Sequence, residues 1–168
     1  MFVGMGANGA SGGYNLENSL RFRYSASAYL SRTPGSATNR KTYTLSCWVK
    51  RGNIGTGTGA NLTPFYSVQN GLSRDIFRFY QDKIEISFNN GTSGALTTTQ
   101  VFRDPSSWYH IVVAVDTSNA TANDRMRLYI NGDEVTSFTT RTNPALNYNT
   151  YTNAVLSHRF GEDYGAYA

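Results

Sequence analysis

The chain has 168 residues, 39 % of them hydrophobic and only 15 % charged, with a formal net charge of +4. That length suits one domain with a core of its own, and the charged share lies below the ~25 % usual for globular proteins. Gly, Ser, Thr, Asn and Tyr take the place of charge, a mix that excludes long helices and favours short strands joined by many turns.

Residues 1–18, opening MFVGMGANGASGG, show no periodicity and read as a Gly-rich arm that gains order against a partner. A sandwich domain is expected over 19–168. Its first strand is SLRFRY at 19–24, with Leu20, Phe22 and Tyr24 inward and Arg21 and Arg23 outward. A short strand over 28–30 follows, ended by a turn at 33–36. Residues 42–50 form a clear strand, with Tyr43, Leu45, Cys47 and Val49 on one face and Trp48 on the other. The stretch 53–61, NIGTGTGAN, reads as a loop. Strands are expected over 64–68, 75–80 and 83–88, the last two joined by Gln81-Asp82, with Ile84, Ile86 and Phe88 forming one buried face. After a turn at 89–94, a strand over 96–101 precedes WYHIVVAV at 108–115, apolar on both faces and hence a doubly covered central strand. A polar loop over 116–124 leads to the alternating run 125–130 and to Asn131-Gly132, the strongest short-range hairpin signal. That turn sets Val135 opposite Leu128 and Thr136 opposite Arg127, keeping the apolar face continuous. Beyond Phe138 the chain reads as a polar loop turning at Asn143-Pro144, and the last strand is expected over 154–160. Nine to eleven short strands at about this spacing imply an all-β, two-sheet antiparallel β-sandwich or jelly roll.

Cys47 stands alone and on an apolar face, so it reads as a small buried hydrophobe. Met1 to Met5 is too short and uncharged for a signal peptide, and nothing approaches a membrane span, so the expectation is a soluble chain made in a cytoplasm. Charge is uneven: seven basic residues oppose one acid through Arg51, whereas eight oppose ten beyond it. The basic third could dock on an acidic protein or polysaccharide, with Arg21, Arg23, Arg32, Arg40 and Lys41, and Phe2 in the arm, as candidate assembly contacts. No recognition motif for nucleic acid accompanies the charge. Gly9-Ala-Ser11-Gly-Gly13 fits G-x-S-x-G and Gly4-Met-Gly6-Ala-Asn-Gly9 fits G-x-G-x-x-G by letter alone, because neither lies in a strand-turn-helix context.

Several segments carry a resemblance: Ser19-Leu-Arg-Phe22, AYLSRTP at 28–34, KTYTLSCWVKR at 41–51, TQVFRDPSSWYHI at 99–111 and RLYING at 127–132. Together, and in this order, they resemble a concanavalin A-like lectin/glucanase domain of the laminin-G-like kind, and their wording is similar to that of structural proteins of tailed bacteriophages. The similarity runs from residue 19 to about 161. Domains of this kind continue past a segment like His158-Arg-Phe-Gly161 into a further closing strand, whereas this chain stops at DYGAYA. A missing closing strand leaves a sheet edge to be filled by the arm, by a neighbouring subunit or by more chain.

The resemblance also defines what chemistry to look for. Glucanase relatives carry E-x-D-x-E on one strand, but here Glu85 is isolated and Asp133-Glu134 flanks a hairpin turn, so hydrolysis is not expected. His110 and His158 read as core or half-buried histidines. Relatives often hold Ca²⁺ at one rim, which makes Asp116 and Asp124, with Asn119 and Asn123, weak calcium candidates; no other cofactor is implied. Trp48, Tyr80, Tyr109 and Tyr129 are the aromatic candidates for a carbohydrate platform. The expected function is a non-enzymatic virion component (tail fibre, tailspike or capsid decoration) located in the particle. Its partners would be other virion proteins and further copies of itself. The alternative is a module that recognises host surface glycan.

Overall fold

The computed structural model describes residues 18–23, 26–52, 54 and 63–162. Among them no α-helix occurs, and eleven strands form two antiparallel sheets. They are β1 (Leu30–Arg32), β2 (Thr42–Lys50), β3 (Thr63–Asn70), β4 (Ser73–Tyr80), β5 (Lys83–Phe88), β6 (Gly94–Thr98), β7 (Trp108–Asp116), β8 (Met126–Ile130), β9 (Asp133–Glu134), β10 (Phe138–Thr142) and β11 (His158–Phe160). The larger sheet has seven strands in the order β1-β11-β3-β4-β5-β6-β10, the smaller has four in the order β2-β7-β8-β9. This is the expected all-β sandwich.

The core lies where the two inner faces meet. Phe77, Phe79, Ile84, Ile86, Phe88 and Leu96 project from the larger sheet against Ile111, Val113, Val115, Met126 and Leu128 of the smaller one, all of them buried. Period-two alternation in β5 and β8 places these side chains on one face, so burial and register agree. Phe102 enters from the loop after β6, its ring edge-on to Tyr109 at 5.3 Å. Two tight hairpins have the geometry their residues favour. Gln81-Asp82 and Asn131-Gly132 both have two consecutive positive φ angles, the mark of a type I′ turn matched to strand twist. Across the second, Ile130 pairs with Asp133 and the Val135 amide donates to the Leu128 carbonyl at 2.8 Å, as the register requires; the ladder ends before Thr136.

Several expectations are corrected. Residues 19–23 form no strand; Leu20 is 69 % exposed and Phe22 instead covers Gly161. The place beside β11 is taken by β1, which begins two residues later than the expected 28–30 strand, so the earlier segment has no edge to join. The 96–101 strand is shifted to Gly94–Thr98, because the Thr98 hydroxyl turns back to the Ile84 amide (3.1 Å) and the Gln100 carbonyl (2.8 Å) and Phe102 dives into the core. The polar stretch after Phe138 contains β10, which pairs with β6 as an outer strand and so needs no apolar alternation. Its turn lies at Leu146-Asn147 and not at Asn143-Pro144. Only His158–Phe160 of the expected 154–160 strand is extended. The preceding residues turn, with Asn153 at positive φ and the Ala154 amide bonded to the Tyr151 carbonyl. The arm through residue 17, Tyr24 and nearly all of the 53–61 loop lie outside the described residues.

Buried polar groups tie the layers together. Arg51, counted above as part of a basic surface, is 1 % exposed. Its guanidinium meets Asp82 at 3.0 Å, donates to the Phe102 carbonyl and lies 4.7 Å over the Phe79 ring. Burial works against the Asp82 carboxylate, but hydrogen bonds from Arg103 and Arg51 hold it below its usual range. Asp75 is fully buried and accepts the amides of Asn89 (3.0 Å) and Tyr151 (2.6 Å). Burial pushes its carboxyl up to about 6 against the pull of those bonds.

Candidate functional site

The smaller sheet turns one face to the core and leaves the other open, so β7 is not doubly covered as expected: Ile111, Val113 and Val115 are buried against the larger sheet, while Trp108 is exposed and His110, Val112 and Ala114 are half-buried on the outer face. In β2 the even-numbered residues Thr42, Thr44, Ser46, Trp48 and Lys50 are exposed and the odd-numbered ones half-buried. The β2–β7 register sets Trp48 beside His110, Lys50 beside Trp108 and Ser46 beside Val112, and Tyr129 of β8 continues the Val112 row. Trp48 is 51 % and Trp108 46 % exposed, although large aromatics are normally well covered. The Trp48 ring stacks on His110 with centroids 4.8 Å apart and planes at 18°. The Ser46 hydroxyl lies 2.9 Å from the imidazole Nε2 of the same histidine. The hairpin residue Asn131 grips the His110 backbone from the other side, its side-chain oxygen accepting the His110 amide and its own amide donating to the His110 carbonyl, both at 2.8 Å. A rigid, flat aromatic surface with hydroxyl, imidazole and guanidinium neighbours results, the last from Arg127 opposite Ala114.

Of the four aromatic candidates, Trp48 and Tyr129 share this face. Tyr109 does not: it has the parity of Ile111 and packs inward against Phe79 and Phe102. Tyr80 lies at the end of β4 in the other sheet, under the Arg78 guanidinium at 4.9 Å. His110, read from sequence as a core or half-buried histidine, is half-buried, and neither it nor Trp108 was singled out for the platform; the outer-face parity of Trp48, carried across one antiparallel pair, brings both to the same surface.

Among the described residues the acids do not converge. Glu85 is paired with Arg78 at 2.7 Å, Asp82 with two arginines, and Asp133 and Glu134 are exposed at the hairpin. At the calcium candidates, Asp116 accepts from Ser118 and from the Thr42 hydroxyl (3.2 Å), which, ahead of the opposing cost of burial, holds its carboxylate low. The Arg125 guanidinium occupies the carbonyls of Asn119, Ala120 and Pro144, and Arg141 takes that of Asn123. Two cations of the chain thus use loop oxygens that a metal ion would need. Among the described residues no three His, Cys, Asp or Glu side chains are grouped to hold a metal.

The proposed assembly contacts separate in the same way. Arg21, Arg23 and Arg32 are exposed, Arg40 is engaged with the carbonyls of Thr150 (2.6 Å) and Asn149 (3.4 Å), Lys41 reaches the Asn147 side chain at 3.3 Å, and Phe2 lies outside the described residues. A groove of about 510 Å³ opens between the β2 edge and the β11 side of the larger sheet, lined by Arg32, Tyr43, Leu45, Tyr66, His158 and Phe160. His158 is neutral in its hydrogen bonding, accepting the Asn153 amide (2.9 Å) and donating to the Leu156 carbonyl (2.8 Å), and burial lowers its pKa. Burial also pushes the Cys47 thiol up to about 11, away from thiolate chemistry.

Comparisons with known proteins agree with this architecture. A search of curated protein sequences found no significant match. Among solved structures, domains LG4-5 of the mouse laminin alpha1 chain superpose with a TM-score of 0.51 at 11 % identity, over 83 % of this chain and 35 % of that one. The chain therefore spans about a third of that structure, and at such identity the likeness concerns the fold. The family model of the concanavalin A-like lectin/glucanases superfamily, in its laminin-G form, matches residues 24–166. With a two-sheet antiparallel sandwich in place and most of its length matched, the chain belongs to the concanavalin A-like lectin/glucanase superfamily.

Proposed function

We propose that this domain is a non-enzymatic contact module of a tailed-phage particle, in a tail fibre, tailspike or capsid decoration, and that its working surface is the open face of the smaller sheet. The observation that carries the reading is Trp48, half exposed and stacked on His110 beside Ser46 and Tyr129. An indole held flat at the surface offers its π-face to an apolar or sugar ring, and nearby hydroxyl and imidazole groups select orientation. Among the described residues the carboxylates are paired with arginines, held by backbone amides in the case of buried Asp75, or spread over the surface, which supports contact over hydrolysis. The particle setting is supported by the wording of the segments at 28–34, 41–51 and 99–111. Mass spectrometry of purified particles is expected to find this chain at stoichiometric copy number; its absence from them would remove the virion assignment.

The same platform favours a second reading, recognition of host surface glycan. A glycan array is expected to show saturable binding that Trp48→Ala abolishes and that Tyr80→Ala, on the other sheet, leaves intact. An array blank for the unaltered chain would discard the glycan reading and leave the particle role standing.

A further inference from the structure

Sandwich proteins protect the outer strands of their sheets, because unpaired N–H and C=O groups invite another chain. Among the described residues, three of the four outer strands are protected. β1 has three residues and ends on Arg32; β9 has two, both acidic; β10 carries Arg141 and breaks register against β6 between Phe138 and Thr140. β2 is different. It is nine residues long, pairs with β7 without a bulge, contains no proline, and carries no charge before its last residue, Lys50.

Its free groups can be assigned from the bonds on the far side of β7. The amide of Asn131 donates to the His110 carbonyl, and that of Asp116 to the Arg125 carbonyl, so even-numbered peptide groups of β7 point to β8. Odd-numbered ones therefore point to β2, where they meet Tyr43, Leu45, Cys47 and Val49. The Lys41 carbonyl, accepting the Thr117 amide, continues that series. The peptide groups of Thr44, Ser46 and Trp48 must then face outward, away from the sheet, while the Thr42 amide is capped by the Asn39 side chain at 2.9 Å.

We infer that the β2 edge is a self-docking site, on which the β2 strand of a second copy of this chain pairs antiparallel about a twofold axis through Ser46. Only this register keeps all nine residues of both strands paired. It sets Thr44 against Trp48 of the second copy, Ser46 against its own mate and Thr42 against Lys50, so no like charges meet. It is also complementary in charge. Asp116 lies directly across from Thr42 on the same outer face, so Lys50 of the second copy reaches over the small threonine towards the Asp116 carboxylate, and the contact is repeated by symmetry. On the inner face, half-buried Leu45 and Cys47 face each other across the seam, and so do Tyr43 and Val49. The two four-stranded sheets become one continuous sheet of eight. This deepens the contact-module reading: both Trp48–His110 stacks come to lie on one surface either side of the axis, so a repetitive ligand can be gripped twice.

The full chain tests the register directly. In a Cys47→Ser background, Ser46→Cys is expected to yield a covalent dimer on mild oxidation, because its two copies face each other across the axis, and Thr44→Cys is expected to remain uncrosslinked. Sedimentation velocity of the unaltered chain is expected to show a mass that doubles with rising concentration. Ser46→Pro, which removes an outward amide from an edge where proline is tolerated, should stay monomeric with an unchanged far-ultraviolet circular dichroism spectrum. Lys50→Glu, which sets like charges at both ends of the seam, should weaken the dimer by about tenfold at low salt. A chain that stays at monomer mass throughout, a dimer indifferent to Ser46→Pro, or equal crosslinking of Thr44→Cys and Ser46→Cys overturns the inference. A strict monomer that still binds saccharide overturns it while leaving the glycan platform intact.

Discussion

Two buried charges set the behaviour of single residues. Arg51 is held by Asp82 and by the Phe102 carbonyl, and both Arg51 and Asp82 are about 1 % exposed. Truncating Arg51 to Ala leaves the Asp82 carboxylate with the exposed Arg103 as its remaining ion partner. Equilibrium denaturation is expected to show a loss of roughly 3–5 kcal/mol, the range for breaking a buried pair from one side. Asp75 acts through pH. Its carboxyl titrates at about 6 in the folded chain because burial disfavours the charge, against about 4 when unfolded. Between those values the folded state keeps a proton that the unfolded state has released, so this group's contribution falls as pH rises from about 4 to about 6 and is level above. The change amounts to about 2–3 kcal/mol. Melting curves of the unaltered chain and Asp75→Asn across that window should differ in slope by this amount; parallel curves would remove Asp75 as the cause. Neither role was legible in the sequence. Composition reports a charge but not what lies over it, and Arg51, next to Lys50, looks like surface until Phe79 and Phe102 are placed around it.

At the scale of elements, legibility followed alternation. The bounds of β2 and β5 were readable to the residue because their apolar residues recur at every second position and turn residues flank them; the start of β7 was readable too, but its apolar residues on both faces wrongly implied cover on both sides. The Asn131-Gly132 hairpin was readable for the same reason, and it is testable. Gly132 adopts φ +96, so Gly132→Ala should cost about 1 kcal/mol in thermal unfolding without altering the pairing of Ile130 with Asp133. β10 was invisible because an outer strand with one solvated face can be made of FTTRT, indistinguishable from loop. Conversely, Ala154-Val-Leu156 looked like a strand on composition, yet Val155 is 53 % exposed and the segment turns to bring the Tyr151 amide to Asp75. Long-range hydrogen bonding decided both cases, and no local pattern carries that information.

For the whole molecule, the two-layer architecture was readable from the number and spacing of strands, and the family resemblance agrees with the matched family model. The candidate platform was readable in part. Trp48 and its outward parity were evident, but four aromatics could not be reduced to one surface until the register joined β2 to β7 and β8 and sent Tyr109 inward and Tyr80 to the other sheet. The chain's two tryptophans, Trp48 and Trp108, share that open face. Native emission should therefore already be red-shifted, and chemical denaturation should move it little. The indoles are poor reporters of folding and good reporters of arrival: whatever settles on this surface, sugar or protein, ought to announce itself as a blue shift in fluorescence.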